Sequence, residues 1–341
     1  MTTVRDTVLR RIGGLLSVII IVVPGPGPGD SAQPTAPPAD QPANSTDQTV
    51  ALLNGSGRTV NVTDANSLGA ALAAAQPGET IQLADGDYAG RFTISTQGQQ
   101  GNPTTLRGSK NAVLNGGDTT GTGYDLHLDG ANYWQLVGFT VSGGQKGIMT
   151  DKTNHTVLSG LTVGNTGQEA VHFGDFSSDN VLQNSVIHDT GKASPQFGEG
   201  LYFGTAKSNW AKKSGGQPDR SNNNKAIRNT FKNTTAENID VKEETSGGLI
   251  SGNAFDGSAI SGANFADSVL DIKGVGYQIV NNVTNGASPK LVNGFQTHVI
   301  TDPSTSGCDN TFQNNVFNIQ LPGPRIALDR KCGVANGTGQ G

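Results

Sequence analysis

The alternation of apolar and polar positions repeats one short pattern between Ala236 and Gly274. Ile239-Asp240-Val241-Lys242 comes first, and Leu270-Asp271-Ile272-Lys273 follows in the same order. In each, apolar residues alternate with Asp and then Lys, the period-two signature of a strand with one buried face. Val171-His172-Phe173 and Leu201-Tyr202-Phe203 carry the pattern upstream, and Thr297-His298-Val299 extends it downstream. Stacked as rungs of a solenoid, these strands predict an outward column of His172, Tyr202, Asp240, Asp271 and His298. A second column, two residues on, reads Gly174, Gly204, Lys242 and Lys273. Strands of one sheet lie about 4.8 Å apart, so both columns converge on a single patch.

The rest of the chain repeats less regularly. Units of Asn, apolar residues and Asn recur at Asn180–Asn184, Asn224–Asn229, Ile250–Phe255, Tyr277–Asn282 and Asn310–Asn315. One turn of such a coil takes roughly 20 to 30 residues, so the longer intervals predict loops inserted between strands. Asn suits the turns because it tolerates left-handed backbone and can stack its amide on the Asn of the next rung. A β-sandwich or propeller does not account for the same decoration on consecutive rungs. Upstream, Ser67–Ala75 reads as an Ala-rich helix capped by Ser67 or Asn66 and ended by Pro77-Gly78. A short helix before stacked strands is what a solenoid needs to cover its first open edge. The largest insertion, Thr205 to Asn222, holds Lys207, Trp210, Lys212, Lys213, Asp219 and Arg220. It either walls the patch, with Trp210 stacking on a sugar and the lysines meeting carboxylates, or is a solvated loop whose Trp packs onto the strands.

Composition agrees with many short strands and tight turns: 48 glycines and few aromatics in 341 residues. The net charge of −5 gives no case for a nucleic-acid partner. Arg5, Arg10 and Arg11 precede an apolar run from Leu15 to Val23, shorter than the ~20 residues of a membrane span. Residues 1–32 therefore read as an export signal cleaved near Ala32, with an uncleaved anchor as the rival. Residues 33–48 form a Pro/Ala/Ser-rich linker and 49–341 the folded domain. The mature protein is expected to be secreted, monomeric and free of the membrane. Cys308 and Cys332 fit an oxidising compartment as one disulfide, with two buried thiols as the alternative.

The run from Pro77 to Tyr88 resembles the opening of pectate-lyase-like right-handed parallel β-helices. Glu237-Asn238-Ile239-Asp240-Val241-Lys242 and Leu270-Asp271-Ile272-Lys273-Gly274 are similar to the signature of chondroitinase B and related alginate lyases. The resemblance implies an all-β chain forming a single right-handed parallel β-helix with a short N-terminal capping helix. It also implies Lys242 as general base, Lys273 where the family places an Arg, and Glu237 as a ligand for calcium, the one candidate cofactor. Three departures stand out: Glu243 follows Lys242 where the family has Ser, Lys273 replaces Arg, and Thr235 occupies the place of a second acidic ligand.

On the residues themselves, His172, Tyr202, Asp240, Asp271, Lys242 and Lys273 on one face make a proton-transfer site, whereas Asp–Lys pairs taken singly would be solvated ion pairs. The reading is a polysaccharide lyase acting on an acidic, uronate-containing glycan by β-elimination. The carboxylate must be neutralised, by Lys273 or a metal, and a base must reach C5, with Lys242, Tyr202 and His172 the candidates. A neighbouring lysine would lower the Lys242 pKa, whereas Asp240 and Asp271 would raise it. His298, Trp210, Lys207 and Glu199 are candidate substrate contacts. Glu169, Glu199 and Glu237 form a third column, Glu169 being read as structural. His127, His155 and His188 are read as turn or surface residues. Three alternatives stay open. A glycoside hydrolase would use Asp240 and Asp271 about 5 Å apart as a retaining pair, although the Asn-Thr-Asp, Asp-Asp and Arg-Ile-Lys patterns of polygalacturonases are not found. A uronate C5-epimerase shares the lyase's first step, and a non-catalytic carbohydrate-binding β-helix would use the column as a binding stripe.

Overall fold

The computed structural model describes residues 48–332. The export signal and all but the last residue of the linker lie outside the described residues, as do residues 333–341. The described chain winds as a right-handed parallel β-helix with three parallel sheets of ten, nine and nine strands. Each turn contributes one strand to each sheet, so every inward side chain stacks on its counterpart one rung away.

The sheet that carries the Asp/Lys pattern has nine strands, numbered here in chain order. They are β1 (Phe92–Ile94), β2 (Tyr124–Asp129), β3 (Lys146–Asp151), β4 (Val171–Gly174), β5 (Leu201–Phe203), β6 (Ile239–Val241), β7 (Ser268–Ile272), β8 (Asn293–Thr297) and β9 (Ile326–Ala327). From β4 to β7 the register is the one the alternation predicts, with His172 opposite Tyr202, Tyr202 opposite Asp240, and Asp240 opposite Asp271. The apolar partners Phe173, Phe203, Val241 and Ile272 are fully buried, and the Phe173 and Phe203 rings stack with centroids 5.8 Å apart. A one-residue slip would exchange the whole buried set for the polar one, which is why the register is firmly held.

The Asn units form a buried amide ladder. Asn253 Oδ1 accepts the Asn229 N–H at 2.9 Å, while the Asn253 N–H is in turn accepted by Asn282 Oδ1 at 2.9 Å and Asn282 leads on to Asn315. Each ladder residue follows a residue with positive φ, among them Arg228, Gly252, Asn281 and Asn314. The first edge is covered by α1 (Ala65–Ala74), whose Leu68 and Leu72 are buried. Its cap is Asp64, two or three residues earlier than expected, because Asp64 and Ser67 satisfy each other's backbone N–H groups in a capping box. At the other end Cys308 and Cys332 are bonded, with Cα atoms 5.5 Å apart.

Candidate active site

The floor is built by β3 to β7. Outward alternation lines up Met149, His172, Tyr202, Asp240 and Asp271, and the next member is Gln296. The sequence pattern predicts His298 there. It stands two residues further along, beyond the end of β8, and turns back so that its Nδ1 meets Asp271 Oδ1 at 2.8 Å. Below Met149 the column continues to His127 on β2, bonded to Asp151 at 2.8 Å. His127 is therefore a strand residue of this face and not a turn residue. The alternation of Leu126, His127 and Leu128 was the signal for it. His155 does sit in a left-handed turn, stacked on Tyr133.

Lys242 and Lys273 reach over the floor from the strand ends. Glycine at 174 and 204 keeps the adjoining positions clear: a Cβ on Gly174 would lie 2.7 Å from His172 Nε2. Lys242 Nζ bonds Asp240 Oδ2 at 2.6 Å and lies 4.8 Å from the centre of the Tyr202 ring. Lys273 bonds Asp271 and lies 3.6 Å from Asp240 Oδ1. Burial opposes charge on both lysines, but the carboxylates outweigh it. The Lys242 pKa is raised well above normal by Asp240, and that of Lys273 rises to about 12. In the resting site Lys242 is a cation, and the competition between its neighbours is decided in favour of Asp240. Asp271 is held at about 2 by Lys273 and His298 against its burial. Asp240 and Asp271 are thus buried anchors for lysines, a different task from that of a retaining glycosidase pair, in which one carboxyl must keep its proton.

Tyr202 lies between these lysines and His172, whose ring is 4.5 Å from its own. Burial, then Asp240 and Glu199, pushes the phenol pKa well above its usual value. His172 is held at both ring nitrogens, Nε2 at 2.7 Å from Gly204 O and Nδ1 at 3.4 Å from Glu169 Oε1.

The third column exists at the starts of β4, β5 and β6. Glu169 is paired with Lys146 at 2.7 Å and, despite burial, is held at about 2. Glu199 is driven up to about 8 by burial and by Glu169 and Asp240, and Glu237 is raised further by burial, Asp240 and Glu199. Glu199, Glu237 and Asp240 each offer an oxygen within 4.8 Å of the others, and Asp240 Oδ1 has no hydrogen-bond partner. Three buried carboxylates, two of them reluctant to ionise, fit a hard divalent cation bound through oxygen.

The insertion after β5 forms one wall. It contains α2 (Trp210–Lys213), and Trp210 is only 6 % exposed, its indole N–H donated to Thr205 O at 2.7 Å. The indole therefore pins the loop and is not open to a sugar. Lys207 is engaged as well, bonding Asp302 Oδ2 at 2.5 Å. Glu243 accepts the Lys207 N–H at 2.5 Å, and Glu244 holds Ser304 Oγ at 2.5 Å, so the two residues after Lys242 tie down both loops on this side. Phe197 and Asn264 also line the space beside it. That space is a cleft of about 550 Å³ that runs from Lys242 and Tyr202 to Lys146, Asp151 and Tyr124.

No family model and no curated protein matches the chain. Solved structures do. The alginate lyase from Paenibacillus sp. str. FPU-7 is 36% identical, with a TM-score of 0.75 over 82% of this chain and 93% of that one. Pectate lyase Pel9A is 16% identical, with a TM-score of 0.54 over 84% and 80% of the two chains. A polygalacturonase from Erwinia carotovora ssp. carotovora is 12% identical, with a TM-score of 0.51 over 86% and 100%. The last two share the fold alone. Fold and cleft define a polysaccharide-active parallel β-helix protein. Within that class, the chain belongs to the family of the Paenibacillus alginate lyase.

Proposed function

We propose that the cleft performs β-elimination on a uronate-containing polysaccharide outside the cell, after export through the N-terminal segment, with alginate the first substrate to test. The observation that carries this reading is the charged Lys242 beside Tyr202 in the cleft, with Lys273 held against Asp271 and Asp240 next to it. A uronate carboxylate placed against the Lys242 ammonium, with Lys273 adding positive charge behind it, loses the charge that makes proton removal from C5 costly. The Tyr202 phenolate takes the C5 proton, the C4–O bond breaks as the C4–C5 double bond forms, and the same phenol returns its proton to the departing oxygen. Lys242 serves as neutraliser and not as base, because Asp240 keeps it protonated. A calcium ion held by Glu199, Glu237 and Asp240 would offset the carboxylate charges that disfavour the phenolate.

Wild-type protein acting on alginate or another polyuronate should generate the absorbance of an unsaturated uronate. Lys242→Ala should lower turnover about a hundredfold or more at unchanged fold, and Lys242→Arg should restore part of it, since a neutraliser needs charge and not a transferable proton. Because the Tyr202 pKa is raised, turnover should climb as pH rises above neutral. New reducing ends without the double-bond absorbance would replace this reading with a hydrolase. Wild-type turnover in Lys242→Ala would remove the lysine from the reaction.

A further inference from the structure

The far end of the cleft holds cations that the reaction at Lys242 does not use. The acids there are already matched: His127 bonds Asp151 at 2.8 Å, Lys146 bonds Glu169 at 2.7 Å, and Lys152 faces Asp175 at 3.7 Å. Two ammonium groups on α2 have no carboxylate in salt-bridge contact, although Asp151 and Asp175 are near enough to favour the charge on Lys213. Lys213 Nζ donates to the Tyr124 hydroxyl at 2.8 Å and lies 5.5 Å from the centre of that ring. Lys212 lines the same end and has no hydrogen-bond or ion-pair partner among the described residues. A lysine bonded to a phenol keeps donors free for an anion. The tyrosine also fixes where the ammonium stands, which a free surface lysine lacks.

We propose that Lys213, positioned by Tyr124 and assisted by Lys212, is a distal subsite for a carboxylate of the glycan chain; this rests on the cleft being a uronate site. Tyr124 belongs to β2 and Lys242 follows β6, four strand spacings apart, or about 19 Å along the axis of the coil. One spacing is close to the length of one pyranose in an extended 1,4-linked chain. Tyr124 is also displaced along its strand from the position level with Lys242, so the carboxylate that reaches Lys213 belongs to a sugar about four or more residues from the bond that breaks. Short oligomers cannot make this contact, so the subsite sets a preference for longer chains.

The test measures binding of uronate trimers and octamers to the full-length Tyr202→Phe protein, which keeps both lysines but lacks the proton-transfer group, by calorimetry, with and without Lys213→Ala. The octamer should bind more tightly than the trimer, and Lys213→Ala should reduce that advantage about tenfold or more, the loss expected for one charge-assisted hydrogen bond. Tyr124→Phe, which keeps the ring and removes the hydroxyl, should reduce it in the same direction. Equal binding of the two lengths, or equal weakening of both by Lys213→Ala, overturns the subsite alone. No binding of any oligouronate overturns the uronate reading of the whole cleft.

Discussion

At the scale of single residues, burial decides what a charge can do. Lys242 and Lys273 carry the same side chain as any surface lysine, yet each is held against a buried carboxylate that fixes both its direction and its protonation. The sequence showed which groups would meet but not the sign of the net effect, because that depends on distances of a few ångströms. Asp125 is a residue the sequence did not single out. It is fully buried, and neither carboxylate oxygen has a hydrogen-bond partner. Burial raises its pKa to about 8, with only the nearby Arg91 opposing. The folded state therefore holds a proton that the unfolded state releases near pH 4. Stability from this group is full below that pH and falls as pH rises to about 8, by about 1.4 kcal/mol per unit within the window. Asp125→Asn removes the titration, so its melting temperature should exceed that of wild type at pH 8 and converge with it near pH 4. A constant difference across that range would show that Asp125 does not titrate there.

At the scale of elements, the strands were legible because alternation and register have the same period. The Asp240 and Asp271 pairing followed from the repeat alone. The column slipped at its downstream end, where β8 aligns Gln296 with Asp271 and His298 arrives from beyond the strand. A single Thr-His-Val triplet cannot distinguish those two placements. The Asn ladder was legible too, since buried turn amides must pair with something. In Asn253→Ala the Ala226 carbonyl and the Asn229 N–H lose their partners inside the core. Each buried orphan costs about 1–3 kcal/mol, so the variant should lose about 3 kcal/mol in denaturant unfolding. Asn318, whose amide bond to Asn285 is exposed, is the control, and Asn318→Ala should change stability by less than about 0.5 kcal/mol. Similar losses for the two would mean that the ladder adds nothing beyond its exposed part.

At the scale of the whole molecule, the cleft is a property of loops laid against a rigid coil. Glu243 and Glu244 join the insertion after β5 to the loop near Ser304, and the Cys308–Cys332 bond closes the segment that follows. Replacing both cysteines by Ser should cost about 3 kcal/mol by loop-closure entropy while leaving the β-helix folded. Unchanged stability in the unreduced double variant would show that the bond constrains nothing in the unfolded chain. The sequence by itself determined the solenoid, the face that carries the chemistry and the partners along β4 to β7, because period-two patterning and a repeated strand are local properties. Only the tertiary structure decided that Trp210 points inward and that Lys207 pairs with Asp302. It also brought Lys213 to Tyr124 and gathered Glu199, Glu237 and Asp240. Those contacts join residues far apart along the chain, and the packing of the coil brings them together without leaving a period in the sequence.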